Sequence, residues 1–205
     1  MSALQLPAPP LCDQVVLLRP WTPEDVAEGL MQFADPSVLR FSWPHTVAYT
    51  EHDAWAFLRA QERARLDGEE LNLALADPAA PATVFGGGSL HAIDLREGRA
   101  SVGYWLAPAY RGRGIATRAT VLMARWGFSE LGLGRIELTS GPDNAASQRV
   151  AERVGFVCEG VLRSHIPFKG GRRDSVLFSL LPGDLSPLPG SLSPPAESDS
   201  EQGRS

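Results

Sequence analysis

A chain of 205 residues, 43% apolar and 21% charged, suits one folded domain with a real core. Its net charge of -5 excludes the broad basic face of a nucleic-acid-binding protein, though not a local basic pocket. No apolar run reaches the roughly 18 residues that cross a bilayer, and Cys12 and Cys158 are too few for a disulfide framework or a metal site.

The start, "MSALQLPAPPL", has neither a basic head nor a long apolar core. It predicts no signal peptide, and with so few cysteines a reduced, cytoplasmic protein is expected. Residues 1–14 are Pro-rich and read as a flexible segment. "VVLLRP" follows as a short strand. "TPEDVAEGLMQFA" then opens a helix over 22–34, with Thr22 as its N-cap and Pro23 in the first turn. "TEHDAWAFLRAQERARL" predicts a second helix, capped by Thr50, carrying Trp55, Leu58 and Leu66 on one stripe and ended by Gly68. Three strand patterns come next: "LNLALAD", "ATVFGGGSLHAI" and "ASVGYWL". The turns between them are short, so they form an antiparallel meander. A helix over 116–131 ended by Gly132, the strand "RIELTS" and a helix over 145–154 ended by Gly155 follow in turn. The strands "FVCEGVLRSH" and "RDSVLFSLL" close the folded part, a mixed α+β sheet over 15–185. The tail, 186–205, is Ser, Pro and acid with almost no large apolar residue, and is expected to stay disordered.

The loop "AYRGRGIATRA" joins the strand ending at Leu106 to the helix after it. Backbone N–H groups at such a helix start, with the helix dipole, form an anion site. Gly112 and Gly114 allow a tight turn and close approach, and Arg111 and Arg113 add charge that suits phosphate. A P-loop would need a Lys that is absent here. A dinucleotide fingerprint would need glycine where Thr117 stands, and would follow the first strand of a parallel sheet.

"RGRGIA" matches [QR]-x-x-G-x-[GA], and so resembles the pyrophosphate loop of the GNAT acetyltransferases, with Arg111, Gly114 and Ala116 in the defining places. "DNAASQRVAERVGFVCEGVLR" is similar to the C-terminal motif of the RimJ/RimL-type subgroup, through Asn144, Ser147, Gly155, Phe156 and "EGVLR". "RFSWPHT", "GYWL" and "GRRDSVLFSLL" look similar too, so the resemblance spans about 15–185. It implies a mostly antiparallel central sheet of about seven strands, flanked by about four helices. One parallel pair in that sheet, "ASVGYWL" with "RIELTS", splays apart.

The resemblance implies acetyl-CoA as co-substrate and no metal. Its pantetheine arm would pair with Trp105, Leu106 and Ala107, and its pyrophosphate would rest on the loop from Arg111, Gly112, Arg113 and Gly114 through Ile115, Ala116 and Thr117. Asn144 and Ser147 would complete that site, with Ser147 near the sulfur. The Tyr that many relatives carry seven residues after the Asn is Ala151 here, which leaves Ser147 as the donor to the leaving thiolate. The Glu that RimL-like relatives place before "IGYWL" is Ser101. Glu137 is the first candidate for a base, with His91, Asp94, His45 and a water chain as alternatives. Phe41, Trp43, His45 and the hairpin around 168–173 would meet the acceptor, a protein N-terminus or a small amine. The protein would be a monomer or homodimer. The missing Glu and Tyr leave a second reading open, an acyl-CoA-binding domain without turnover.

Overall fold

The computed structural model describes residues 3–188. The tail from 189 onward, expected to be disordered, lies outside the described residues. Eight strands form one sheet in the order β1-β2-β3-β4-β5-β6-β8-β7. They are β1 Leu11–Cys12, β2 Leu17–Arg19, β3 Leu71–Ala76, β4 Val84–Asp94, β5 Arg99–Leu106, β6 Arg135–Ser140, β7 Val157–Phe168 and β8 Gly171–Leu180. All neighbours are antiparallel except β5 and β6. That pair holds register only from Arg99↔Arg135 to Ser101↔Glu137, while β5 runs on to Leu106 and β6 to Ser140. Beyond Ser101 the two strands part, and the expected splay is present.

Five α-helices flank the sheet: α1 Asp25–Glu28, α2 Pro36–Ser42, α3 Glu51–Leu66, α4 Ile115–Ser129 and α5 Ala145–Val154. The helix expected over 22–34 is instead α1 followed by a 3-10 turn, Leu30–Ala34. Thr22 does not act as the expected N-cap. Its N–H and hydroxyl both donate to Asp25, whose carboxylate is also gripped by the Arg19 fork at 2.7 Å on each oxygen. At Gly29 the chain packs too closely for a side chain, since a Cβ there would stand 2.8 Å from the Asp25 carbonyl and 3.2 Å from Trp21. Helix α2, absent from the sequence reading, is nucleated by Asp35, which accepts the Ser37 N–H at 2.8 Å, and by Pro36 in its first turn. It is too short to carry an apolar period.

The core lies in two layers. Helix α4 is buried along nearly its whole length and packs on one face of the sheet, against Leu71, Leu73, Leu75, Leu90, Ile136 and Leu138. Each fully buried Leu contributes about 2 kcal/mol, so this burial holds α4 more than helix propensity does. Trp21, Val26, Leu30 and Ala54 cover the other face. In the segment 1–14, read as flexible and mostly exposed from Ala3 on, three points touch the fold. Leu4 is 2% exposed and donates its N–H to Arg65, Leu11–Cys12 pairs with β2, and Asp13 holds Arg118 of α4 at 2.6 Å.

Candidate active site

The glycine loop behaves as its residues require. Gly112 and Gly114 take φ of +74° and +76°, the left-handed region that favours glycine. A Cβ at either would meet nothing within 4 Å, so the space beside them is open. Helix α4 starts at Ile115 with no side-chain cap, and its first backbone bond runs from Arg118 N–H to the Gly114 carbonyl. Among the described residues, the N–H groups of 112–117 meet no acceptor in the chain. They face a cleft of about 320 Å³ between α2, α4, α5 and β5. Every cofactor-binding residue expected from the sequence lines this cleft except Ala107 and Arg113. Ala107 donates its N–H to Phe85 at 2.9 Å, and Arg113 lies over the Tyr110 ring at 5.7 Å. The sequence reading missed Arg149 and Arg153, which add charge from one face of α5 at helical spacing. No acid lines this cleft among the described residues.

Helix α5 carries the hydroxyl that faces this space. The Asn144 side chain caps the helix by accepting the Ser147 N–H at 3.2 Å. That fixes Ser147 in the first turn, with its hydroxyl 3.0 Å from the Tyr104 phenol. Tyr104 is a third residue the sequence reading did not single out. Its signal was available: on β5 it alternates with Val102 and Leu106, which places all three on the α4 and α5 face. Burial pushes the Tyr104 phenol up to about 12, against the opposing Ser147 hydrogen bond. The Ala107 N–H bonds across to β4, so ladder alternation turns the amides of Tyr104 and Leu106 away from β4 and into the splay. The Leu106 carbonyl accepts Arg111 Nε there at 3.1 Å.

A second cleft, about 530 Å³, opens on the other face of β5 and shares only Ser42, Tyr104 and Trp105 with the first. Trp43 and His45, which the sequence reading set against the acceptor, line it with their rings 4.6 Å apart. Phe41 does not. It lines the first cleft, and its carbonyl accepts Arg173 Nη1 at 3.1 Å. The segment 40–46 and the last hairpin do meet, through that bond and through Lys169 N–H to the Pro44 carbonyl. Of the proposed bases, Glu137 stands at the root of the splay, outside both clefts, its carboxylate 2.8 Å from Arg135. Asp94 is occupied by the N–H groups of its own turn. His91 is half-buried, 3.2 Å from the Ser89 hydroxyl, and desolvation holds its ring below the usual range.

A family model described as an acetyltransferase (GNAT) domain matches residues 16–157, more than half of the chain. The structure of Mycobacterium smegmatis RimJ in complex with CoA-disulfide is 26% identical, with a TM-score of 0.75 over 91% of this chain and 89% of that one. The Bacillus subtilis protein named "Putative ribosomal N-acetyltransferase YdaF" is 38% identical over 93 residues, 45% of this chain and 51% of its own. Escherichia coli spermidine N(1)-acetyltransferase is 31% identical over 71 residues, 35% of this chain and 38% of its own. The chain spans about half the length of the first curated relatives it matches.

Proposed function

The chain belongs to the acetyltransferase (GNAT) family, and on that footing we propose that it moves an acetyl group from acetyl-CoA to a primary amine. One observation carries the reading. The unpartnered N–H groups of 112–117 open onto the same cleft as the Ser147 and Tyr104 hydroxyls, so a phosphate anchor and a proton donor share one space. Arg111, Arg149 and Arg153 give that space the charge a pyrophosphate needs. The pantetheine arm then runs along the freed edge of β5 into the splay.

The acceptor comes from the opposite cleft as an amine, having lost one proton to solvent. Its lone pair forms the new C–N bond at the thioester carbonyl, and the oxyanion meets the Leu106 amide turned into the splay. The C–S bond breaks with its electron pair on sulfur. Ser147 donates to that sulfur and is re-supplied through Tyr104, whose phenol stays protonated at assay pH. The second nitrogen proton balances the thiol formed.

The test is thiol release from acetyl-CoA with peptides of different N-termini, polyamines and aminoglycosides. The ribosomal and spermidine names of the relatives put the first two classes on the panel. Release with one class supports transfer and names its acceptor. Silence across the panel, with acetyl-CoA still raising Tm, overturns transfer in favour of an acyl-CoA-binding domain.

A further inference from the structure

We infer that the second cleft takes a slender dication: its reacting amine sits at β5, and Glu70, at the far end of the cleft floor, anchors a second positive charge. The inference rests on the transfer reading above and adds the class of acceptor.

The walls are aromatic. Phe33 stands 5.2 Å from Trp105 at 85° and 4.9 Å from Tyr49, and Trp43 stands 5.1 Å from Tyr49 at 88°. Rings at such angles present faces and edges around one space, the arrangement that receives an alkylammonium. The charge lining agrees. Asp53 and Glu70 line this cleft, and no Lys or Arg does among the described residues. Asp53 is already engaged, accepting the Thr50 N–H and hydroxyl at the start of α3. Glu70 is different, because no ion pair involves it among the described residues. Burial pushes its carboxyl up, opposed by a hydrogen bond to Asn72 and helped by Glu69. A half-buried carboxylate lining an aromatic cleft, with no ion-pair partner among the described residues, leaves a charge for the ligand to supply.

The register sets the length of that ligand. Asn72 lies opposite Ser89, and Ser89 opposite Gly103, so these residues form a floor running across three strands. Two strand spacings put Asn72 about 10 Å from β5. Glu70 lies two residues earlier on the same face as Asn72 and reaches no nearer. It is too far to take a proton from a nitrogen attacking at β5, and well placed to hold a charge at the other end of the same molecule. The floor between is kept low by Gly87 and Gly103. A Cβ at Gly87 would stand 2.6 Å from Trp105 Nε1, and one at Gly103 would stand 3.3 Å from His91. An unbranched methylene chain fits such a channel. A protein N-terminus brings one ammonium followed by peptide amides, and has no use for a carboxylate at that distance.

The test compares a series of unbranched α,ω-diamines, their nitrogens about 10 Å apart or more, with the monoamines of the same chain lengths. Both are assayed with acetyl-CoA on the whole protein, and calorimetry follows diamine binding to the CoA-loaded protein. Wild type should favour the diamine, and Glu70→Gln should raise its KM about tenfold while kcat moves less than about threefold and the monoamine is unaffected. Equal losses for both amines, or no preference for the diamine in wild type, overturn the anchor. Turnover with peptides alone overturns it too, while transfer stands. Diamine binding that Glu70→Gln abolishes, without thiol release from any amine, keeps the anchor and sinks transfer. An unchanged Tm for Glu70→Gln separates all of these from misfolding.

Discussion

The two clefts share β5 and little else. The cofactor cleft is basic and built from backbone: uncapped amides, two left-handed glycines, and Arg111, Arg149 and Arg153 with no acid among them. The proposed acceptor cleft is acidic and built from side chains, rings from five separate stretches together with Asp53 and Glu70. A strand whose outer residues part from their neighbour can serve both, because alternate residues face opposite ways. Tyr104 and Leu106 point to one side, while Gly103 and Trp105 point to the other. On the proposed assignment, acetyl donor and amine are held by different physics, and each side can be damaged alone.

The largest effect should come from Gly114→Glu. The left-handed φ of +76° strains any side chain, and the new carboxylate sits among the amides meant for phosphate. We expect acetyl-CoA affinity to fall at least about a hundredfold by calorimetry, with diamine or peptide binding in the other cleft unchanged. Undiminished acetyl-CoA affinity would break the comparison at its first term. Next in size is Tyr104→Phe, at the one side chain both clefts share with a role in the chemistry. Losing the phenol should lower kcat about tenfold, with acetyl-CoA Kd within a factor of two. Ser147→Ala should cost about as much, and the double variant little more, because the two hydroxyls act as one relay. Additive losses would separate them. Since burial holds the phenol up to about 12, wild-type kcat should show no loss from its ionisation up to about pH 10.

The same contrast explains how much the sequence disclosed. The donor side lies in two contiguous stretches, 103–119 and 143–163, where glycine positions, an N-cap Asn and strand-helix punctuation are local signals. Helix α5 was therefore placed from the sequence with its bounds intact, while the splay came only from the family resemblance. The acceptor side depends on which face of β3 and β4 meets which turn of α3, and only the three-dimensional register settles that. Glu70 precedes a strand and reads as an ordinary charged residue until the floor of Asn72, Ser89 and Gly103 is assembled. Phe41 and Trp43, two residues apart, were expected on the same side. The end of α2 at Ser42 separates them, so Phe41 lines the first cleft and Trp43 the second. Trp43→Ala should accordingly raise acceptor KM about tenfold and leave acetyl-CoA Kd alone. An effect on acetyl-CoA instead would merge the two clefts into one.

The smallest effect belongs to Glu137, the acid first suggested by sequence as a base. Its position in the last paired step of β5 and β6 brings it near the splay without facing either cleft. Its carboxylate lies against Arg135 Nε at 2.8 Å, and Arg135 in turn forks onto Glu159. A base in that arrangement would have to release an arginine before it could accept a proton. Partly exposed ion pairs of this kind contribute about 1 kcal/mol or less, and Arg135 keeps its fork to Glu159 when Glu137 is neutralised. Glu137→Gln should therefore move kcat and acceptor KM by less than about twofold and Tm by a few degrees at most. A hundredfold fall in kcat with unchanged KM would return Glu137 to the chemistry. The amine would then lose its proton at the root of the splay, and the separation of the two clefts would hold for binding but not for catalysis.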